Sequence, residues 1–154
     1  MNTDMSQPRF ARRSTLLLAL VSLATCACAP RTGPGVIDAD APKEFMTTES
    51  GLKYRILRKS NRAKPLPSDR VEVDYSGWLD DGTTFDSSYV GANPAEFSLG
   101  QVVEGWTEGL QLIGEGGMIE LEVPPELGYG EAGRPPRIPK SATLHFKIEL
   151  LRIL

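Results

Sequence analysis

From residue 50 onward the chain alternates, and that alternation leaves few folds open. Leu144, Phe146, Ile148 and Leu150 are apolar, whereas Thr143, His145, Lys147 and Glu149 between them are polar. Successive side chains of a strand point to opposite faces, so a period of two marks a strand with one buried face and one wet face. The pattern recurs in Leu52, Tyr54 and Ile56 against Lys53 and Arg55, and in Val71, Val73 and Tyr75 against Glu72, Asp74 and Ser76. It returns in Phe97 and Leu99 about Ser98, and in Ile119, Leu121 and Val123 against Glu120 and Glu122. Asp80-Asp81-Gly82 carries turn chemistry, and Thr83-Thr84-Phe85 opens a further strand. One segment breaks the rule. Val102, Val103, Trp106, Leu110 and Ile113 form the stripe of a short helix, with Gly114 placed to stop it. The expectation is an α+β domain: an antiparallel five- to six-stranded sheet wrapped around one short amphipathic helix.

The first residues are of another kind. Arg9, Arg12 and Arg13 precede an apolar run, Leu16 to Ala24, that ends in Thr25-Cys26-Ala27-Cys28-Ala29. A basic start, a short apolar core and small residues at its end describe an export signal, here 1–28. The apolar residues show no helical period, which argues against a buried amphipathic helix. Leu23-Ala24-Thr25-Cys26 is similar to a bacterial lipobox, with Cys26 as the lipid acceptor and Cys28 as its rival. Ordinary cleavage near Ala27 to Ala29 is the alternative, and Arg12-Arg13-Ser14-Thr15-Leu16-Leu17 also resembles a twin-arginine signal. Residues 29–45, rich in Pro, Gly and charge, read as a flexible linker, and 46–154 as the folded domain. The address implied is the bacterial cell envelope, as a membrane lipoprotein facing the periplasm or as a soluble periplasmic protein.

The reactive side chains of hydrolases are missing. His145 is the single histidine, and it sits on the polar face of a strand; both cysteines belong to the leader. Nucleophile-histidine systems and zinc spacing therefore lack their parts. Gly114-Glu115-Gly116-Gly117 follows a helix instead of opening one and contains an acid, so it does not read as a phosphate cradle. Removing residues 1–25 takes away three basic residues and one acidic residue, moving the formal charge from −3 to −5. That balance points away from nucleic acid. Charge is also segregated. Thirteen Asp or Glu and no Lys or Arg lie between Arg70 and Arg134, while Lys53, Arg55, Arg58, Lys59, Arg62, Lys64 and Arg70 cluster earlier. Either these are two solvated surfaces, or an acidic rim favours segments flanked by Lys or Arg while the basic stretch faces an anionic membrane.

Several ordered motifs resemble one family. Val73-Asp74-Tyr75-Ser76-Gly77 and Asp81-Gly82-Thr83-Thr84-Phe85-Asp86-Ser87-Ser88 resemble strands of FK506-binding-protein domains. Gln101-Val102-Val103-Glu104-Gly105-Trp106 resembles the entry to their helix, and Gly128-Tyr129-Gly130-Glu131-Ala132-Gly133 with Ile138-Pro139 their pocket-rim loop. Ala142 to Leu151 resembles their closing strand. The likeness runs over about residues 50 to 152.

The resemblance implies a peptidyl-prolyl cis/trans isomerase that assists folding and works without a cofactor; the sequence has no long dimerising helix, so a monomer is expected. It implies a pocket with Trp106 as floor and Tyr75, Phe85, Val102, Val103 and Phe146 as walls, with Phe97 beside them. Tyr129 OH and the Ile138 backbone N–H would donate to substrate carbonyls, and Asp86 would orient the rim. The partners implied are proline-containing polypeptides and macrolide ligands. Gly91 stands where the family commonly has an arginine beside the aspartate, and Ala95 replaces an aromatic wall, which predicts weakened macrolide affinity. Arg134 stands where a rim histidine is common, and one residue is missing before Val102. A proline-peptide binding module or holdase without catalysis is the alternative that these changes keep open.

Overall fold

The computed structural model describes residues 33–91 and 93–154. The expected export signal, with Cys26 and Cys28, lies outside the described residues.

Among the described residues seven strands form one antiparallel sheet: β1 Met46–Thr47, β2 Lys53–Arg58, β3 Arg70–Leu79, β4 Thr84–Ser87, β5 Ala95–Ser98, β6 Met118–Val123 and β7 Leu144–Ile153. The spatial order is β1-β2-β6-β7-β3-β4, with β5 also pairing β3. The pairs are in register where the alternation is clearest. Tyr54 faces Leu121, Leu121 faces Phe146, Ile119 faces Ile148, and Ile148 faces Tyr75. All apolar members of that register thus land on one side, together with Val71, Val73 and Leu150. The strand count exceeds the expected five or six because β1 has only two residues, too few to display a period.

On the dry face lies the helix α1, Glu104–Leu110, which buries Trp106 and Leu110. Gly105 and Gly109, one turn apart, set its distance from the sheet. A Cβ on Gly105 would stand 2.6 Å from Val123 Cγ1, and one on Gly109 2.7 Å from Leu121 Cδ1. Bare backbone on that side lets the helix rest directly on β6. The helix is shorter than the apolar stripe predicts. Val102 and Val103 precede it in extended backbone, and it ends at Leu110 with Gln111 as cap. Gly114 is therefore not its stop. It sits where a Cβ would meet Arg62 O at 2.4 Å, so close chain crossing requires it.

A bulge between Ile56 and Arg58 places Leu57 out of phase. Leu57 is 4% exposed, and its carbonyl accepts from Asp38 N–H at 2.8 Å. The described part of the expected linker, 33–45, is held to the domain at several more points. Arg58 donates to Val36 O at 3.1 Å, Lys59 N–H to Asp38 Oδ2 at 2.8 Å, and Arg55 to Lys43 O at 2.8 Å. Arg55 also lies 4.8 Å over the Phe45 ring. Contrary to the expected free tether, this stretch is a strap along β2.

The basic cluster is corrected in the same way. Lys53, Arg55, Arg58, Lys59, Arg62 and Arg70 are ion-paired with Glu122, Glu120, Glu149, Asp40, Glu115 and Glu96 respectively. Charges apart in the sequence meet across the sheet, so little of the early basic stretch is left to face a membrane.

Candidate functional site

The site grows from Tyr75, which β3 turns inward between β7 and β4. Its ring stands edge-on to Trp106 at 5.1 Å and 84°, and to Phe97 at 5.7 Å and 70°. Trp106 in turn meets Phe97 at 5.4 Å and Phe146 at 5.3 Å, both nearly perpendicular. Edge-to-face pairing sets the positive ring edge against the negative face, worth about 0.5–1.5 kcal/mol per pair beyond area burial. Phe85 and Phe146 meet the same way at 5.5 Å and 89°. They do so over Gly77, which pairs with Phe146 on one side and Asp86 on the other. A Cβ on Gly77 would lie 2.7 Å from Phe85 Cζ and 2.8 Å from Phe146 Cε1.

Three consecutive residues of β4 and the turn after it hold Tyr75. Asp86 Oδ2 accepts from its hydroxyl at 2.6 Å, Ser87 Oγ donates to its carbonyl at 3.1 Å, and Ser88 Oγ accepts from its N–H at 2.9 Å. Ser88 also donates to the buried Asp74 at 3.0 Å. Burial, and secondly the Asp86 carboxylate, push the Tyr75 hydroxyl well above the ordinary tyrosine range. It stays protonated and engaged with Asp86. The position of Gly91 has a visible correlate: Asp86 has Tyr75 OH and Ser87 N–H as partners and no cation among the described residues.

The expected site residues converge, with one exception. Tyr75, Phe85, Asp86, Phe97 and Trp106 line one cavity of about 500 Å³, and so do Val102, Val103, Tyr129 and Phe146. Ile138 lines only an adjoining groove of about 310 Å³. Its N–H is not available either. It donates to Arg134 O at 3.1 Å, closing a bridge in which Arg134 N–H returns to Ile138 O at 2.9 Å. A backbone donor on the cavity wall that does stand open is Val103 N–H, just before α1, which has no partner among the described residues. Tyr129 Oη accepts from Arg134 Nη1 at 3.1 Å, with the guanidinium 5.6 Å over the ring. A guanidinium can only donate, so the Tyr129 hydroxyl hydrogen remains free. The Trp106 indole N–H is buried with no partner among the described residues.

Gln101, Glu104, Glu126 and Gly128 also line the cavity, and sequence reasoning did not assign them. Gln101 and Glu126 lie in 3₁₀ turns, which carry no period to expose them. The rim is also less acidic than charge counting predicts, because Arg134 joins Asp86, Glu104 and Glu126 on the wall.

The interlocked rings, with donors at Val103, Tyr129 and Trp106 that have no partner among the described residues, make a pocket suited to an apolar ligand that carries hydrogen-bond acceptors. The family follows from comparison: residues 61–151 match the model of FKBP-type peptidyl-prolyl cis-trans isomerase, and the chain belongs to that family. It is 46% identical over 123 residues to the FKBP-type 22 kDa peptidyl-prolyl cis-trans isomerase of Escherichia coli K12, covering 79% of this chain and 60% of that protein. The crystal structure of FkpA from Escherichia coli superposes with a TM-score of 0.70 at 46% identity, over 73% of this chain and 52% of the other. A peptidyl-prolyl cis-trans isomerase from Pseudomonas syringae pv. tomato superposes at 0.67 and 32% identity, over 73% and 82%. The chain spans about half the length of the curated relatives it matches.

Proposed function

We propose that this chain catalyses cis/trans rotation about X-Pro bonds in exported polypeptides. The observation that carries the reading is the ring-lined cavity beside Tyr129 OH and Val103 N–H, two donors whose hydrogens have no partner among the described residues. The barrier to overcome is amide resonance, about 18–20 kcal/mol, and uncatalysed rotation takes tens of seconds or more. In the twisted state the amide loses resonance, so its charge separation falls. A pocket that removes water therefore disfavours the planar bond more than the twisted one. In this reading Trp106 is the floor under the proline ring, and Tyr75, Phe85, Val102 and Phe146 enclose it. Tyr129 and Val103 hold the substrate carbonyls, which fixes the segment on both sides of the rotating bond. Asp86 acts through Tyr75, whose ring it keeps upright.

Lipid attachment at Cys26 or Cys28 belongs to the same proposal, and the basic, apolar, small-residue order of the leader supports it. It would hold the domain at the cell envelope. Palmitate labelling of Cys26→Ala and Cys28→Ala variants identifies the acceptor, and equal labelling with both replaced removes the idea.

The isomerase is tested by the refolding rate of a proline-limited protein with the full chain added. Acceleration that Trp106→Ala abolishes is the expected result. No acceleration above the uncatalysed rate would favour a proline-peptide binding module, the reading that Gly91 and Ala95 support.

A further inference from the structure

Two grooves adjoin the pocket, the one that Ile138 lines and a second of about 480 Å³ between Thr83, Val90 and Arg137, and charge is divided along the route. Glu104 and Glu126 line the pocket and neither groove. Arg137 lines both grooves and not the pocket, and Arg134 stands at the boundary, lining the pocket and the first groove. Phe85 and Asp86 are common to all three. A segment leaving the pocket for the grooves therefore crosses Phe85 and Asp86 from acidic to basic ground. Asp86 stands at the crossing itself and belongs to the acidic side, its oxygens held in place by Tyr75 OH and Ser87 N–H.

The charges on both sides are available. Glu104, Glu126 and Arg137 enter no ion pair among the described residues, and Arg134 is engaged only by Tyr129. Most acids elsewhere on the sheet are paired. An extended peptide advances about 3.3–3.6 Å per residue, so side chains two or three places from a seated proline reach beyond the pocket wall on either side.

We propose that this pocket selects proline segments of one charge order, with an acidic side chain on the flank that meets Arg134 and Arg137 and a basic one on the flank that meets Glu104 and Glu126. The proposal rests on the isomerase reading of the same pocket. It replaces a uniformly acidic rim, which would favour basic residues on both flanks. The groups are solvent-exposed, so each contact shifts kcat/KM by a small factor and salt weakens it.

The test uses the full chain and five peptides with one apolar-proline core. Their flanks are Glu then Lys, Lys then Glu, Lys twice, Glu twice, or Ala twice. Exchange NMR gives kcat/KM without a protease that would itself read the charges. At about 0.01 M salt, where the screening length is about 30 Å, one of the two mixed orders exceeds the other by about fivefold and ranks above the doubly charged peptides. At about 1 M salt, with screening near 3 Å, the two converge. Arg137→Glu and Glu126→Lys each bring the ratio of the mixed orders to one or invert it. Equal mixed orders alongside a turned-over Ala peptide overturn the charge order alone, as does a best rate with Lys on both flanks. A ratio untouched by either reversal overturns the assignment to these residues. An Ala peptide left at its uncatalysed rate overturns the isomerase reading and this one with it.

Discussion

The two faces of the sheet treat charge in opposite ways. On the wet face Lys53 pairs with Glu122, Arg55 with Glu120 and Arg152 with Glu72, each opposite its partner in strand register. Around the pocket, Glu104, Glu126 and Arg137 enter no ion pair among the described residues. The difference is geometric. Neighbouring strands bring side chains on one face to within about 5 Å, so a charge there meets a counter-charge by register. Rim residues come from turns and helix ends, where no strand lies opposite. Charges left open in this way mark the surface that something else approaches, whereas paired charges mark the surface that the chain closes for itself. Changes around the dry face should therefore move turnover and stability together, and changes on the wet face stability alone.

The largest effect is expected at Trp106. Trp106→Ala removes the centre of three ring contacts and should cost about 3–5 kcal/mol in urea unfolding. Trp106→Phe should cost far less, because the indole N–H has no partner to lose; equal losses would show that it bonds in solution.

Tyr75→Phe comes next, at about 1.5–3 kcal/mol for a bond to a carboxylate. It also changes the pH dependence. A hydroxyl held above its ordinary 10.0 by burial and by Asp86 contributes stability that is complete below that value and lost as the pH climbs past it. The wild-type urea midpoint should fall above about pH 10 more steeply than that of Tyr75→Phe. Parallel curves would mean that Tyr75 does not carry the effect.

On the wet face, Arg58→Ala removes bonds to Glu149, Gly116 O and Val36 O. About 1–3 kcal/mol is expected, with faster hydrogen exchange at Asp38 N–H and an unchanged isomerisation rate. A loss of turnover would couple the strap to the pocket and break the division between faces. The smallest effect belongs to Lys53→Ala, at most about 1 kcal/mol and absent at high salt.

Much of the fold was legible before any coordinates. Leu144 to Leu150 could only be a strand with one wet face, and Phe85, Trp106 and Tyr129 belong together through family likeness. Leu57 was not legible, because a bulge shifts its phase by one residue and leaves no mark in composition. The helix was overestimated, since Val102 and Val103 extend the apolar stripe without being helical; they are apolar because they line a cavity. Ile138 failed for a related reason. Its side chain is buried, yet its N–H closes a bridge with Arg134, and no side-chain pattern reports where a backbone donor points.

The sequence alone determined most of the dry residues and that they lie on strands about a short helix. Those are consequences of backbone periodicity and residue chemistry, which act over a few positions. Only the tertiary structure decided which charges meet, which donors stay free at Tyr129 and Val103, and that the rim is divided rather than uniformly acidic. Each of those depends on strand register and turn geometry, which bring together residues as distant as Arg58 and Glu149. Thirteen acids in a row of strands and turns look alike in the chain; counter-charges from elsewhere single out the ones left open to a ligand.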